Sequence, residues 1–196
     1  MKTRFAVLLA LLAGPAFAAT SDPAGARIDA FDSSLVSIMK EGPSLGVMGR
    51  FRRFQPVVEQ SFDLPLMTRF AVGPTWTSMS DSEHQSLVRA FTRLTVASYA
   101  HNFDRFGGEQ FEVLPNVQTR GADKIVQSRL TPKGKAPVAL YYRMRESSGS
   151  WKIVDVYVDG ISQLTTRRSD FAAPLAAGGQ KGLVAHIEEA SAKLLR

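Results

Sequence analysis

The segment Gly42-Pro43-Ser44-Leu45-Gly46 fits G-x-S-x-G, the nucleophile elbow that presents a serine for acyl transfer. Such a serine needs a strand before it, a helix after it, and an acid and a histidine later in the chain. His84, His101 and His186 are the candidate bases, but the residues leading into Gly42 have helical, not strand, periodicity. In a chain with 15 glycines, the pattern arises by chance about one time in ten. A turn accounts for every residue: Lys40 near a helix C-terminus, Gly42 as a left-handed cap, Pro43 barring continuation. A secreted serine esterase or lipase using Ser44 is therefore the minor alternative.

Other reactive groupings are weaker. The three histidines are far apart and lack metal-ligand spacing, and with no cysteine there is neither thiol chemistry nor a thiolate metal site. No metal and no cofactor are expected. Asp155 and Asp159 share a strand face about 13 Å apart, too far to share a proton. Flanked by valines, Asp155 reads as a partly buried carboxylate that pairs with an arginine or caps a helix amide. Arg50, Arg52 and Arg53, and again Arg167 and Arg168, could meet a phosphate, although such clusters on helices are commonly solvated.

The chain opens with Lys2 and Arg4, an apolar run from Phe5 to Leu12, and small residues ending at Ala18. This is the pattern of a secretory signal peptide, with cleavage expected after Ala18. Residues 19–196 then form one domain, large enough to bury a core. The formal charge of +6 falls to +4 without Lys2 and Arg4. That mild basicity gives no sign of a nucleic-acid partner and suits transient contact with an anionic membrane surface.

The elements that would position any site follow from periodicity and capping. Helix is expected from Asp22 to a stop at Gly42, followed by short kinked pieces around Gly46, Gly49 and Pro56. A compact helix follows Asp63 and stops at Gly73-Pro74. Ser80 and Glu83 form a capping box for a long helix ending near Asn102. Residues 109–120, 123–131, 137–146 and 150–160 have strand composition and predict a four-stranded antiparallel meander. Two helices close the chain, broken at Gly178-Gly179. Helices, then a meander, then helices define an α+β domain.

Short helices kinked over a curved sheet can leave an apolar cavity, and the excess of Phe and Met suits one. Phe62-Asp63 before Met67 and Arg69, Gly73 and Trp76 before the capped helix, Trp151-x-x-x-Asp155-Val156, Gly160-x-Ser162, and Arg168 with Phe171 occur in order across nearly the whole chain. In this the sequence resembles the MlaC family of periplasmic lipid-binding proteins, also described as toluene-tolerance auxiliary proteins. The segment from Gly42 to Val58 resembles the hopanoid-biosynthesis-associated branch, HpnM. Thr166-Arg167-Arg168 departs from the family, where many members have a tyrosine before the arginine.

The resemblance implies a cone related to nuclear transport factor, with a hydrophobic pocket between sheet and helices holding lipid tails. It implies a shuttle for a hopanoid or phospholipid, not a catalyst. Its partners would be an inner-membrane lipid transporter and an outer-membrane acceptor. With that fold, apolar stripes and strand alternation nominate Phe62, Leu66, Phe70, Phe91, Leu94, Tyr99, Val113, Val126, Leu140, Tyr142, Val154 and Val156 as the lining. Arg50, Arg53 and Arg168 are candidates for the rim or for docking. A lipid-free periplasmic adaptor is the further alternative.

Overall fold

A computed structural model describes residues 22–196. The expected signal peptide lies outside the described residues. Four helices, α1 (Pro23–Ser61), α2 (Leu64–Val72), α3 (Asp81–Asn102) and α4 (Gln163–Leu194), accompany six strands: β1 (Gln110–Val113), β2 (Gln118–Arg120), β3 (Asp123–Thr131), β4 (Val138–Ser147), β5 (Ser150–Val158) and β6 (Ile161–Ser162).

The α1 helix begins where Asp22 accepts a hydrogen bond from the Ala24 amide and Pro23 occupies the first turn. It does not stop at Gly42. It runs through Gly42 and Pro43 and kinks at Gly46, whose φ of 61° and ψ of 173° leave the helical region. Gly42 is a site of close approach and not a left-handed cap: a Cβ there would sit 2.1 Å from the Asp104 carbonyl oxygen. Small size, which periodicity cannot register, is what the chain uses at this position.

The end of α1 is held by cations. Arg27 and Lys152 both donate to the Gln60 carbonyl, where the helix dipole is negative. The chain then lies against β5, with Phe62 bridging Ile153 and the Asp63 amide donating to the Ile153 carbonyl at 2.9 Å.

The local signals for the next two helices hold as expected. Asp63 accepts from the Leu66 amide, and Gly73, at φ 76°, ends α2. The capping box forms in both directions, with the Glu83 amide donating to Ser80 and the Ser80 amide to Glu83. Between them a 3-10 turn spans Gly73–Ser78. The closing helices form α4, interrupted at Gly179 with φ 59°.

The sheet is antiparallel in the order β1-β3-β4-β5-β6, with β2 also paired to β3. It has six strands, not four. The first expected strand is divided around Leu114-Pro115-Asn116, because Pro115 has no amide to donate to a ladder. Its halves pair end to end with β3, Gln110 opposite Thr131 and Gln118 opposite Ile125. The added β6 follows a tight turn at Asp159-Gly160, with φ of 49° and 82°. Helix α1 packs on β1, β3 and β5, while α3 packs on α1 and α4. The core lies between these layers, around Ile28, Phe31, Leu35, Leu87, Phe91 and Ile187.

Candidate functional site

A cavity of about 420 Å³ opens between the sheet, α1, α3 and the start of α4. Leu130, Val138, Leu140, Tyr142, Val156 and Val158 supply its sheet wall. Strand alternation explains this set: Leu130 pairs with Val138, and Leu140 and Tyr142 with Val158 and Val156, so the same face of three strands is turned inward. Helices contribute Leu35, Met67, Phe91, Tyr99 and Leu164, and the residues just after α1 and α3 contribute Phe62 and Phe103.

Part of the lining is polar. Thr95, Ser98 and Asn102 are spaced along α3, while Gln163 and Arg167 are one turn apart on α4. Asn102 and Gln163 are exposed, as expected at a mouth. The N-terminus of α4 is fixed there by Asp155. This buried carboxylate accepts from Ser162 Oγ at 2.7 Å and from the Leu164 amide at 3.1 Å, which is the capping role expected of it.

Of the twelve residues nominated for the lining, Phe62, Phe91, Tyr99, Leu140, Tyr142 and Val156 meet at the cavity. The other six are elsewhere. Leu94, Val126 and Val154 are fully enclosed in packing. Val113 approaches Gly25 on α1, Leu66 is half-buried, and Phe70 lies under Arg143 with the guanidinium 5.6 Å from its ring centre. These positions share apolar stripes with the liners, but their elements bury more than one face.

The three nominated arginines do not line the cavity either. Arg50 donates to the carbonyls of Ala100 at 2.8 Å and Gly42 at 3.1 Å, tying α3 to the kinked α1. Arg53 pairs with Glu41 across the kink at 3.0 Å. Arg168 packs against Gly73, and it is its neighbour Arg167 that reaches the cavity, paired with Asp170 at 3.6 Å.

The hydrolase alternative finds no matching arrangement. Ser44 Oγ donates to the Glu41 carbonyl at 2.8 Å within its own helix. His84 stacks on Trp76, with centroids 3.9 Å apart, and its Nε2 lies 2.8 Å from the Trp76 carbonyl. Both His101 and His186 are exposed. Among the described residues no group of His, Cys, Asp or Glu could hold a metal ion.

One buried group had no signal in the apolar periodicity. Asp32 is 4% exposed on α1 and accepts from Ser128 Oγ at 3.2 Å and from the Tyr142 hydroxyl at 3.3 Å. Burial lifts its carboxyl to about 7 from 3.8, the two hydrogen bonds opposing the rise and nearby Asp29 adding to it. The same burial, with the Asp32 charge, raises the Tyr99 and Tyr142 hydroxyls above the usual tyrosine range. The only sequence trace is an acid inside the stripe Ile28, Phe31, Leu35.

A pH dependence follows. The folded protein holds a proton on Asp32 that the unfolded chain releases near 3.8, so this stabilisation is full below about 4 and is lost as pH climbs through about 7. The difference corresponds to about 4 kcal/mol. Asp32→Asn should make the urea midpoint flatter than the wild type's between pH 5 and 8. Parallel midpoint curves would rule the titration out.

Fold and cavity together define an α+β protein with a largely apolar chamber between its sheet and its helices. The profile of the family described as MlaC protein matches residues 30–189, and the chain belongs to that family. Among solved structures it is similar to a phospholipid-binding protein from Ralstonia solanacearum, determined in complex with a phospholipid. The two are 24% identical with a TM-score of 0.79, over 89% of this chain and 100% of the other. At that identity the likeness establishes the shared fold.

Proposed function

We propose that this protein is a periplasmic lipid shuttle that carries a hopanoid or a phospholipid between the inner and outer membranes, tails enclosed in the cavity. The observation that carries the reading is the apolar chamber of about 420 Å³ in a member of the MlaC family. Leaving tails in water costs about 0.8 kcal/mol per CH₂, so a carrier crossing an aqueous compartment must supply volume and apolar wall. A lipid-free adaptor would have no use for such a chamber, and a hydrolase would need a reactive group facing it.

The phospholipid bound by the Ralstonia protein favours that cargo. The Gly42–Val58 segment, with its resemblance to the hopanoid-associated branch, favours the other. No helix of the described residues is long and apolar enough to cross a membrane. In this reading exchange takes place at an inner-membrane transporter and an outer-membrane acceptor, after export directed by residues 1–18.

Native mass spectrometry of the mature protein from its own host, with solvent extraction and identification of what it carries, tests the proposal. The expected result is a lipid-bound species whose extract contains a hopanoid or a phospholipid. Protein that stays empty even after incubation with vesicles of either lipid would sink it.

A further inference from the structure

Tyr99 lies amid aromatic rings, edge-on to Phe31 at 5.6 Å, tilted against Phe62 at 5.8 Å and stacked on Phe103 at 5.5 Å. Its neighbours on the cavity wall have their hydroxyl hydrogens engaged. Thr95 donates to the Phe91 carbonyl, Ser98 to the Leu94 carbonyl, and Tyr142 to Asp32. Tyr99 is half-buried on the cavity wall, near Asp32, and its hydroxyl is not among the buried polar atoms cut off from a partner, so it stays accessible from the cavity. A hydroxyl accessible from an apolar cavity, with its hydrogen not engaged by a neighbouring side chain, can donate to a ligand oxygen.

We infer that the Tyr99 hydroxyl, beside the Asp32–Tyr142 pair, is a hydrogen-bonding seat inside the apolar cavity, selecting lipids that bring an uncharged oxygen, an ester carbonyl or a hydroxyl, below the mouth. The inference rests on the cavity being a lipid site and adds what the site discriminates. Apolar walls accept any chain of suitable girth, whereas a donor on the cavity wall favours ligands that can answer it. Asp32 suits this role because it occupies the Tyr142 hydroxyl, leaving Tyr99 as the group available to the ligand. Asn102, Gln163 and Arg167 stand at the mouth, so headgroup contacts there are separate from this seat.

Two matched pairs of probes test it: a diacyl phosphatidylglycerol against its dialkyl ether analogue with equal chains, and octadecanol against octadecane. Wild-type protein should prefer the member with the ester carbonyl or the hydroxyl in at least one pair by about three- to tenfold in competition for loading. In Tyr99→Phe the preference should shrink to near unity while the other member still loads. The phenyl ring keeps the aromatic packing and removes no internal hydrogen bond, so unfolding is not expected. Preference in the first pair identifies an ester carbonyl, and preference in the second a hydroxyl. No preference in either pair, or one that survives Tyr99→Phe, overturns the seat. If neither phosphatidylglycerol analogue loads, phospholipid carriage is what fails, and the alcohol–alkane pair still decides the seat.

Discussion

A Gly42→Ala chain should unfold at a markedly lower temperature or denaturant concentration than the wild type. The added Cβ would meet the Asp104 carbonyl oxygen at 2.1 Å and its carbonyl carbon at 2.8 Å. Both obstacles are backbone, so no rotamer change relieves them. Either α1 must move away from the segment after α3, or that segment must leave its place. The movement would also stretch the two bonds by which Arg50 holds the Gly42 and Ala100 carbonyls. A loss of about 3–5 kcal/mol is expected, or roughly 10 °C in the thermal midpoint of a domain this size. Gly178→Ala, with nothing within 4 Å of its Cβ position and no left-handed backbone, serves as the control and should leave stability near the wild type's. Equal midpoints for the two variants would refute close approach as the reason for glycine at position 42.

On the proposed lipid-shuttle reading, filling the cavity should weaken lipid loading without unfolding the protein. Val156 is half-buried, faces the chamber and pairs with Tyr142 across β4 and β5. Val156→Trp would project an indole into space otherwise open to a ligand. Excluding two to four methylenes of tail, at ~0.8 kcal/mol each, weakens loading about 15- to 200-fold. The measurement is the lipid-bound fraction after incubation with labelled vesicles, with circular dichroism to verify the fold. Phe70→Ala is the companion variant. Phe70 shares the apolar stripe of α2 but lies under Arg143, so its loss should leave loading intact. Full loading of Val156→Trp, or failure of Phe70→Ala alone, would show that the ligand lies elsewhere.

Where one residue type has one physical use, the sequence was a sound guide. Ser80 with Glu83, Asp63 before Leu66, and Gly73 and Gly179 at breaks all act through bonds or dihedral angles local to the chain, and each appears as its pattern implies. Tertiary placement decides the remainder. Gly42 reads as a cap until Asp104 is seen beside it, and Pro115 divides a strand that composition presents as continuous. Asp32 is indistinguishable from a solvated acid until Ser128 and Tyr142, about a hundred residues later, close over it. The same limit applies to the lining. Alternation groups Leu140, Tyr142 and Val156 correctly, but it cannot separate Val126 and Val154, which are enclosed in packing, from Val138 and Val158, which front the chamber.

The strip of chain after α1 that bridges Phe62 to Ile153 has a consequence for life in a crowded compartment. Together with the short β6, it occupies the side of β5 facing away from β4. On the opposite border, the interruption at Pro115 breaks what would otherwise be one long ribbon of free amides and carbonyls. An exposed border of that kind invites strand addition by another molecule and growth into aggregates. Both borders of this sheet are blunted within the chain itself, which works against copies joining sheet to sheet.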